Sequence, residues 1–418
     1  MINSDNYTLA DFGELSDKDI FAKTGPSLEY IDDYKRKGYY IYQKVLATPC
    51  ENRVNIVEEK SGKPREVIMM GSNNYLGLTT HPKVVAAAIR ACEEFGTGSG
   101  GAALLSGTTE IHRRLEKRLA MFLGCEDAVV FPNGYSTNVG TLSALAGKGD
   151  LIISDMLNHT SIVDGCRLSE GDYRVYRHRD MSHLENILRR SCDKYAGKLI
   201  VTDGVFSMDG DICPLPEIME LARKYNARVM IDEAHAIGVI GNNGRGTCDY
   251  FDMIGEVDII MGTLSKALAG VGGFVASSRD VVNHLRHFAH SYFFSSNLPP
   301  SVEASALAAL DVIEEEPQMI IKLKKNAVYM HSHLRGMGYN LPDVYTPILP
   351  VFIGKELTLR KMGKRFNELG LYISPIPYPA VPKNKARFRV CLMATHRKQD
   401  MDDALTIMEQ VGKEFGII

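Results

Sequence analysis

The sequence lacks three features that would narrow its function at once: an excess of positive charge, a cluster of cysteines and a long apolar run. Its formal net charge of −3 at pH 7 argues against nucleic acid as a partner, because no basic excess is present to neutralise phosphates. The eight cysteines include no CxxC pair, which argues against a zinc site or a disulfide framework and favours a reducing compartment. No run approaches the roughly 18 apolar residues of a membrane-spanning helix.

The first residues also lack the basic and apolar regions of a secretory signal, so we expect a soluble, cytoplasmic protein. The pattern along the 418 residues predicts an N-terminal arm over 1–70, a large domain over 71–315 and a smaller C-terminal α+β domain over 316–418. The arm carries a tyrosine cluster at 39–42. We expect it to pack against the main domain or a second subunit, with an acyl-chain entrance or peripheral membrane contact as the alternative.

Short apolar segments alternate with helical segments through the large domain, which predicts a mainly parallel sheet flanked by helices. Polar residues follow directly after these segments. In an open α/β sheet, ligands bind beyond the carboxyl ends of the strands. The residues predicted to meet at that edge are His159, Ser207, Asp232, His235 and Lys266.

Lys266 lies between hydroxyl residues, in a stretch of small residues and glycines that ends at Gly273. Desolvation favours the neutral amine of a lysine, and a neutral amine is a nucleophile toward aldehydes. Thr263 and Ser265 would supply hydroxyl groups to a neighbouring phosphate. The segment therefore suggests a Schiff base with pyridoxal phosphate (PLP); the alternative is an ordinary surface lysine in a glycine-rich loop.

Two further segments resemble phosphate-binding loops. A strand at 128–131, a tight turn and a helix beginning near Gly134 and Tyr135 would form an anion site from backbone N–H groups and the helix dipole. The glycine-rich segment 96–101 is not a dinucleotide-binding fingerprint, because no clear strand precedes it. We interpret it as backbone that approaches the site closely, and His112 in the following helix as a surface residue.

The aspartate and histidines have simpler alternatives as well. Asp232 can pair with a pyridinium nitrogen, but it could instead cap a helix. His159 can stack on a planar cofactor, but a histidine just past a strand is also a common capping or packing residue. Several such segments at successive strand ends favour one shared site, with no metal.

Taken together, the residues resemble the α-oxoamine synthase family of fold-type I PLP enzymes, from about Asn73 to the C-terminus. The segments that carry the resemblance are SNNYLG at 72–77, NHTS at 158–161, SMDG at 207–210, DEAH at 232–235 and TLSK at 263–266. The family includes 8-amino-7-oxononanoate synthase, 2-amino-3-ketobutyrate ligase, 5-aminolevulinate synthase and serine palmitoyltransferase. The resemblance implies the fold-type I architecture, PLP as cofactor and decarboxylative condensation of an amino acid with an acyl thioester, on coenzyme A or a carrier protein.

The resemblance also implies the role of each site residue. Lys266 would form the Schiff base and move the Cα proton, and His159 would stack on the ring. Asp232 would pair with the pyridine nitrogen, and His235 would bind the phenolic oxygen, with Ser207 nearby.

The remaining residues implied by the resemblance bind phosphate or substrate. Gly134, Tyr135, Thr263 and Ser265 would hold the phosphate, and Ser295 and Ser296 of the neighbouring subunit would complete it in a homodimer with composite sites. Asn73 and Arg389 would bind the carboxylate of the amino acid, with Arg389 preferred over Arg387 from its place before the segment 390–396.

The amino acid is suggested by a departure from the family pattern. Relatives usually have Ser-Arg or Thr-Arg where this chain has Ala102 and Ala103, and alanine leaves more space. We therefore expect serine, alanine or cysteate rather than glycine, unless the alanines reflect local repacking. The long arm favours a long-chain acyl donor, as in serine palmitoyltransferase and sphingolipid synthesis, with a short-chain member of the family as the alternative.

Two rival functions remain open. A fold-type I aminotransferase shares the lysine, the aspartate and the phosphate site, although the DEAH and SNNYLG segments disfavour it. A catalytically silent regulatory subunit is disfavoured by the presence of Lys266.

Overall fold

The computed structural model describes residues 2–13, 19–58 and 61–418. Its strands are β1 (Arg53–Val57), β2 (Pro64–Met69), β3 (Asp127–Phe131), β4 (Leu151–Asp155), β5 (Asp172–Tyr176), β6 (Lys198–Asp203), β7 (Arg228–Asp232), β8 (Ile259–Thr263), β9 (Gly273–Ser277), β10 (Ile348–Gly354), β11 (Leu371–Tyr372), β12 (Ser374–Ile376) and β13 (Ala386–Cys391). Its α-helices are α1 (Ala10–Gly13), α2 (Thr24–Arg36), α3 (Pro82–Phe95), α4 (Glu110–Leu123), α5 (Gly134–Leu145), α6 (Thr160–Leu168), α7 (Met181–Ser191), α8 (Leu215–Lys224), α9 (Thr247–Tyr250), α10 (Arg279–Phe288), α11 (His290–Phe293), α12 (Pro300–Glu315), α13 (Gln318–Gly336), α14 (Glu356–Glu368) and α15 (Lys398–Glu414).

A seven-stranded sheet has the order β3-β9-β8-β7-β6-β4-β5. Within this sheet, β9 runs in the direction opposite to the other six strands. The strands β4, β8 and β9 are buried along their whole length, as expected for strands covered on both faces. The predicted α/β class with a mainly parallel sheet and flanking helices is confirmed.

The chain divides into two compact units. The sheet unit comprises Asn74–Ser207 and Asp211–Lys322, and the terminal unit comprises Met1–Asn73, Met208–Gly210 and Leu323–Ile418. This division differs from the domain boundaries at residues 70 and 315 that the sequence pattern predicts. In the terminal unit, β11 pairs parallel to β2 of the predicted hairpin, so segments from both ends of the chain share one sheet.

The arm tyrosines pack inside the terminal unit. Tyr30 and Tyr34 stack with ring centroids 5.7 Å apart, and the buried guanidinium of Arg360 lies 4.6 Å from the Tyr34 ring. Arg360 also donates hydrogen bonds to the carbonyl of Ser4 (2.7 Å) and the hydroxyl of Tyr30 (2.7 Å), which ties the arm to α14. Tyr40 packs edge-on against Tyr34. Within the described residues, no helix combines the length and apolarity needed to cross a bilayer.

The prediction that His112 is a surface residue was wrong. Its side chain is fully buried on α4, with Nδ1 2.7 Å from Oε1 of Glu303 on α12. Burial alone would lower the pKa of His112, but the carboxylates of Glu116 and Glu303 raise it to about 9. The local sequence shows only a polar helix; the burying partner is remote in the chain, so the pattern around residue 112 gave no sign of it.

Candidate active site

Lys266 lies on a closed loop directly after β8. The loop is held by hydrogen bonds from the N–H of Leu264 to the carbonyl of Gly272 (3.0 Å) and from the N–H of Gly270 to the carbonyl of Leu264 (2.8 Å). Ala269 adopts a φ of 59°, a left-handed conformation that costs energy for a residue with a Cβ. The loop therefore holds the half-buried Lys266 at the carboxyl edge of the sheet, as predicted.

Hydroxyl groups and a helix N-terminus meet beside this loop. The α5 helix begins at Gly134, and the Asn133 side chain caps it by accepting the Ser136 N–H at 2.8 Å. The Thr263 and Ser265 hydroxyls lie 2.7 Å apart. A Cβ added at Gly134 would lie 3.2 Å from the Thr263 hydroxyl, so glycine keeps the space between helix and hydroxyls open. N–H groups, helix dipole and hydroxyls suit a phosphate.

Tyr135 follows Gly134 and is 46% exposed, with its hydroxyl donating to Asp164. Its ring centroid lies 6.4 Å from that of His159, nearly perpendicular to it. The aromatic ring of Tyr135 thus stands at the rim between the helix N-terminus and the predicted stacking histidine.

Asp232 is the last residue of β7, and each of its two carboxylate oxygens accepts a hydrogen bond. Oδ2 accepts the Asn138 side-chain amide at 2.7 Å, and Oδ1 accepts the Ala234 N–H at 2.9 Å. The Asn138 amide also donates to Ser161 (2.9 Å), whose hydroxyl lies 2.7 Å from Nδ1 of His159. One hydrogen-bonded chain therefore runs from Asp232 to His159. Asn138 and Ser161 were not predicted as site residues.

Asp203 is a second buried carboxylate at the same edge, and the sequence reasoning missed its part in the site. It is the register partner of Asp232 across β6 and β7, and it accepts the His159 backbone N–H at 3.4 Å. Burial, together with the charge of Asp232, raises the pKa of Asp203 well above its usual range. The sequence does contain an indication of this residue, because a single aspartate ends an apolar strand segment.

His159 caps a helix at the edge of the sheet where the site is predicted. Its side chain accepts the Ser161 N–H at the start of α6. Burial lowers the pKa of His159, and the charge of Lys266 acts in the same direction against the opposing effect of Asp232. The ring is therefore neutral at pH 7, which suits a stacking surface.

Two side chains of the DEAH segment, those of His235 and Glu233, have different partners. His235 is buried, and its Nδ1 lies 2.7 Å from the Tyr75 hydroxyl, which fixes the orientation of the imidazole. Glu233 instead accepts the N–H and hydroxyl of Thr247 at 2.8 and 2.7 Å, so it caps α9 and is structural. Ser207, 8% exposed, lies beyond the end of β6.

The predicted carboxylate-binding residues lie in the terminal unit. Arg389 on β13 donates to the side-chain oxygen of Asn73 at 3.1 Å. Arg387 instead pairs with Asp209 at 2.6 Å and lies over the Phe352 ring. The structure thus brings Asn73 and Arg389 together and gives Arg387 a partner of opposite charge.

The segment with Ser295 and Ser296 joins the glycine-rich loop. Ala102 and Ser296 form an antiparallel bridge, and the Asn297 N–H donates to the Gly101 carbonyl at 2.9 Å. Ser296 is exposed and Ser295 half-buried. The two features that the resemblance connected with amino acid choice and phosphate binding are therefore physically joined.

These groups fit PLP. The open cradle beside Gly134 suits a phosphate, the buried Asp232 suits a protonated ring nitrogen, and Lys266 on the same edge suits the aldehyde. The sequence matches the family described as aminotransferase class I and II over residues 65–408. It is also 44% identical over 390 residues to 8-amino-7-oxononanoate synthase of Thermoanaerobacter pseudethanolicus, covering 93% of this chain and 97% of that protein.

The chain belongs to this family, as an α-oxoamine synthase. The α-oxoamine synthase is also 38% identical over 413 residues to 4-hydroxy-2,2'-bipyrrole-5-methanol synthase PigH of Serratia sp., covering 99% of this chain and 63% of that protein. It superposes on a serine palmitoyltransferase variant from S. paucimobilis with a bound PLP–myriocin aldimine, with a TM-score of 0.91 at 32% identity, covering 96% and 100% of the two chains.

The family fixes the general chemistry. The α-oxoamine synthase is a PLP-dependent acyltransferase that joins an amino acid to an acyl thioester with loss of carbon dioxide. The recognition made from the sequence, the cofactor and the enzyme class are confirmed.

Proposed function

We propose that the α-oxoamine synthase makes 8-amino-7-oxononanoate from alanine and the monothioester of a seven-carbon dicarboxylic acid. The observation that carries this proposal is the 44% identity to 8-amino-7-oxononanoate synthase over 93% of this chain and 97% of that protein. A second such enzyme, from Bacillus subtilis, is 46% identical over 354 residues.

The product's structure identifies both substrates. Decarboxylative condensation keeps the Cα, the amino group and the side chain of the amino acid and bonds the Cα to the acyl carbonyl. In 8-amino-7-oxononanoate, the amino-bearing carbon carries a methyl group, which is the side chain of alanine. The other seven carbons run from ketone to carboxylate, which is the acyl group of a dicarboxylic monothioester.

This proposal replaces the long-chain donor favoured from the sequence. That expectation depended on the long arm, whereas identity to 8-amino-7-oxononanoate synthases exceeds identity to the serine palmitoyltransferase structure, 44% against 32%. Alanine was among the amino acids expected from the small residue at Ala102, so that part of the expectation agrees with the proposal. The proposed donor is short and carries a charge at its far end.

Each site residue then has a task. Lys266 would hold the cofactor covalently, and its amine, when free, would move the proton at Cα. When bound, PLP withdraws electrons from Cα and so stabilises the negative charge left there. Asp232 keeps the ring nitrogen protonated, and Asn138 holds that carboxylate in place. The neutral His159 would lie against the cofactor ring and exclude water from it.

The other residues orient cofactor and substrate. His235, turned by Tyr75, and Ser207 bind the phenolic oxygen. Gly134, Tyr135, Thr263 and Ser265 bind the phosphate. Arg389 and Asn73, whose side chains are hydrogen-bonded to each other at 3.1 Å, would bind and orient the carboxylate of the amino acid.

A homodimer with composite sites is part of the proposal. Ser296 is exposed, and its bridge to Ala102 holds it on the surface of the sheet unit. In a dimer, this segment would reach the phosphate of the neighbouring subunit. Mixing Lys266→Ala protomers with Ser295→Ala/Ser296→Ala protomers should restore part of the activity, and mixed dimers without activity would contradict shared sites.

A serine-dependent condensation is the second candidate. The match to the Serratia bipyrrole synthase spans 99% of this chain and so includes the arm. The hydroxymethyl group in the name of that product has the atoms of the serine side chain. Because the chain spans 63% of that protein, the likeness concerns one part of it.

The deciding experiment is a product assay by mass spectrometry. Purified enzyme with PLP is incubated with glycine, alanine, serine or cysteate, each with acetyl, dicarboxylic seven-carbon or palmitoyl thioester of coenzyme A or of a carrier protein. We expect the amino ketone from alanine and the dicarboxylic donor to form fastest. A preference for serine would favour the second candidate, and a preference for glycine or for palmitoyl donor would contradict the proposal.

A further inference from the structure

His178 lies between the two loops that carry His159 and Ser207, just after β5. Its Nδ1 is 2.9 Å from Oδ1 of Asp155, and its Nε2 is 2.8 Å from Oδ2 of Asp211. An ionised carboxylate can only accept hydrogen bonds, so both ring nitrogens donate. His178 is therefore an imidazolium bridging two aspartates.

The surroundings of His178 support this charge state. Burial acts to lower its pKa, but Asp155 and Asp211 outweigh burial and raise the pKa of His178 to about 9. Arg179 also donates to both aspartates, through its backbone N–H to Asp155 (3.0 Å) and its guanidinium to Asp211 (3.1 Å). The neighbouring Tyr176 and Cys213 stay neutral, because burial raises the pKa of both groups well above their usual ranges.

The two aspartates anchor functional loops. Asp155 ends β4 four residues before His159, and its Oδ1 accepts the Leu157 N–H at 2.8 Å. Asp211 comes four residues after Ser207, and its carbonyl accepts the Phe206 N–H at 3.0 Å. The Phe206 ring meets the His178 ring edge-on, with centroids 4.5 Å apart. The His178 imidazolium therefore joins the start of the loop that carries His159 to the end of the loop that carries Ser207.

We propose that His178 is a positioning residue, which joins Asp155 to Asp211 and so sets His159 and Ser207 at the separation that PLP requires. It acts through the two aspartates rather than on the substrate. The inference depends on PLP binding and is independent of which amino acid or acyl donor the enzyme uses.

The test compares His178→Gln with His183→Gln. His183 is a matched control on α7, because its Nδ1 accepts the Arg177 N–H and neither aspartate is among its hydrogen-bond partners. Two quantities are measured: the PLP dissociation constant, by titration of the apoenzyme, and amide hydrogen exchange of the apoenzyme. For His178→Gln we expect roughly tenfold weaker PLP binding and faster exchange confined to peptides around 155–161 and 204–212, with neither change in the control.

Asp211→Asn provides a second variant if His178→Gln folds poorly. It should also weaken PLP binding. The double variant should bind PLP no more weakly than the weaker-binding of the two single variants, since both substitutions remove the same bridge. Unchanged PLP affinity and local exchange in a folded His178→Gln would overturn the proposal. A lower melting temperature with uniformly faster exchange would overturn it too, because that outcome is a general loss of stability.

The bridge should also respond to pH. A raised histidine pKa contributes stabilisation that is fully present below the unfolded value near 6.5 and is lost as pH rises through about 9. PLP affinity of the control should therefore fall more steeply between pH 8 and 10 than that of His178→Gln. Parallel profiles would contradict the proposed bridge.

Discussion

The two edges of the seven-stranded sheet use polar residues in opposite ways. At the carboxyl edge, Asp203 and Asp232 are 3% and 5% exposed; Asp203 accepts the backbone N–H of His159, and Asp232 accepts the side-chain amide of Asn138 on α5. At the amino edge, Arg228 pairs with Asp258 at 2.7 Å, with an arginine side chain that is 78% exposed. The same strands thus carry buried carboxylates at one end and a solvent-exposed ion pair at the other.

The amino edge also has a cavity. A cavity of about 750 Å³ opens at the amino edge, lined by residues that include Leu151, Lys198, Arg228 and Ile259. The ion pair of Arg228 and Asp258 lines this cavity and has an exposed arginine side chain, whereas Asp232 at the opposite edge is buried. What marks the carboxyl edge is therefore a pair of adjacent buried carboxyl groups, Asp203 and Asp232, an arrangement that is costly in a protein core and is typical of functional sites.

The largest effect that this comparison predicts comes from Lys266→Ala. The variant should keep its fold but lose at least about a thousandfold in turnover, because the covalent attachment and the proton transfer are lost together. The control is Lys148→Ala, an exposed lysine outside the site. Circular dichroism and the product assay measure the two effects. Turnover near that of the parent enzyme would remove Lys266 from its assigned role.

Asp232→Asn should have the next largest effect, a loss of roughly a hundredfold in turnover with PLP still bound. The amide keeps the size of the side chain but no longer favours a protonated ring nitrogen. Asp258→Asn at the amino edge is the matched control and should lose little activity. Equal effects of the two substitutions on kcat would mean that the edges do not differ as described.

Asp203→Asn tests the buried pair through stability. Because its folded pKa is raised, the unfolded state loses the proton first, and the stability of the parent falls as pH rises above the usual aspartate range toward the raised value. The neutral variant lacks this loss. The melting temperature of Asp203→Asn minus that of the parent apoenzyme should therefore increase by a few degrees between pH 4 and pH 8. A difference independent of pH would show that Asp203 is ionised in the folded protein.

The sequence predicted this edge well because strand ends are local features. The positions of Lys266, Asp232 and His159 after apolar segments were readable directly, and a parallel sheet must gather such ends at one edge. Asn138 escaped notice because its contact with Asp232 joins helix to strand across 94 residues of sequence. The buried His112 escaped for the same reason, since its partner Glu303 lies on a distant helix. The joining of both chain ends by β2 and β11 is equally non-local.

The smallest effect should come from Arg228→Ala at the amino edge. An exposed ion pair contributes about 0–1 kcal/mol, since water and salt screen it, so the free energy of unfolding should change by no more than that and turnover should stay the same. Asp258→Ala should cost more than Arg228→Ala, because Asp258 also accepts the Val229 N–H at 2.8 Å and its loss leaves that group without this partner. Denaturant unfolding of the two variants measures the difference. A loss of activity in Arg228→Ala at unchanged stability would assign a function to the amino edge and erase the contrast between the two ends of the sheet.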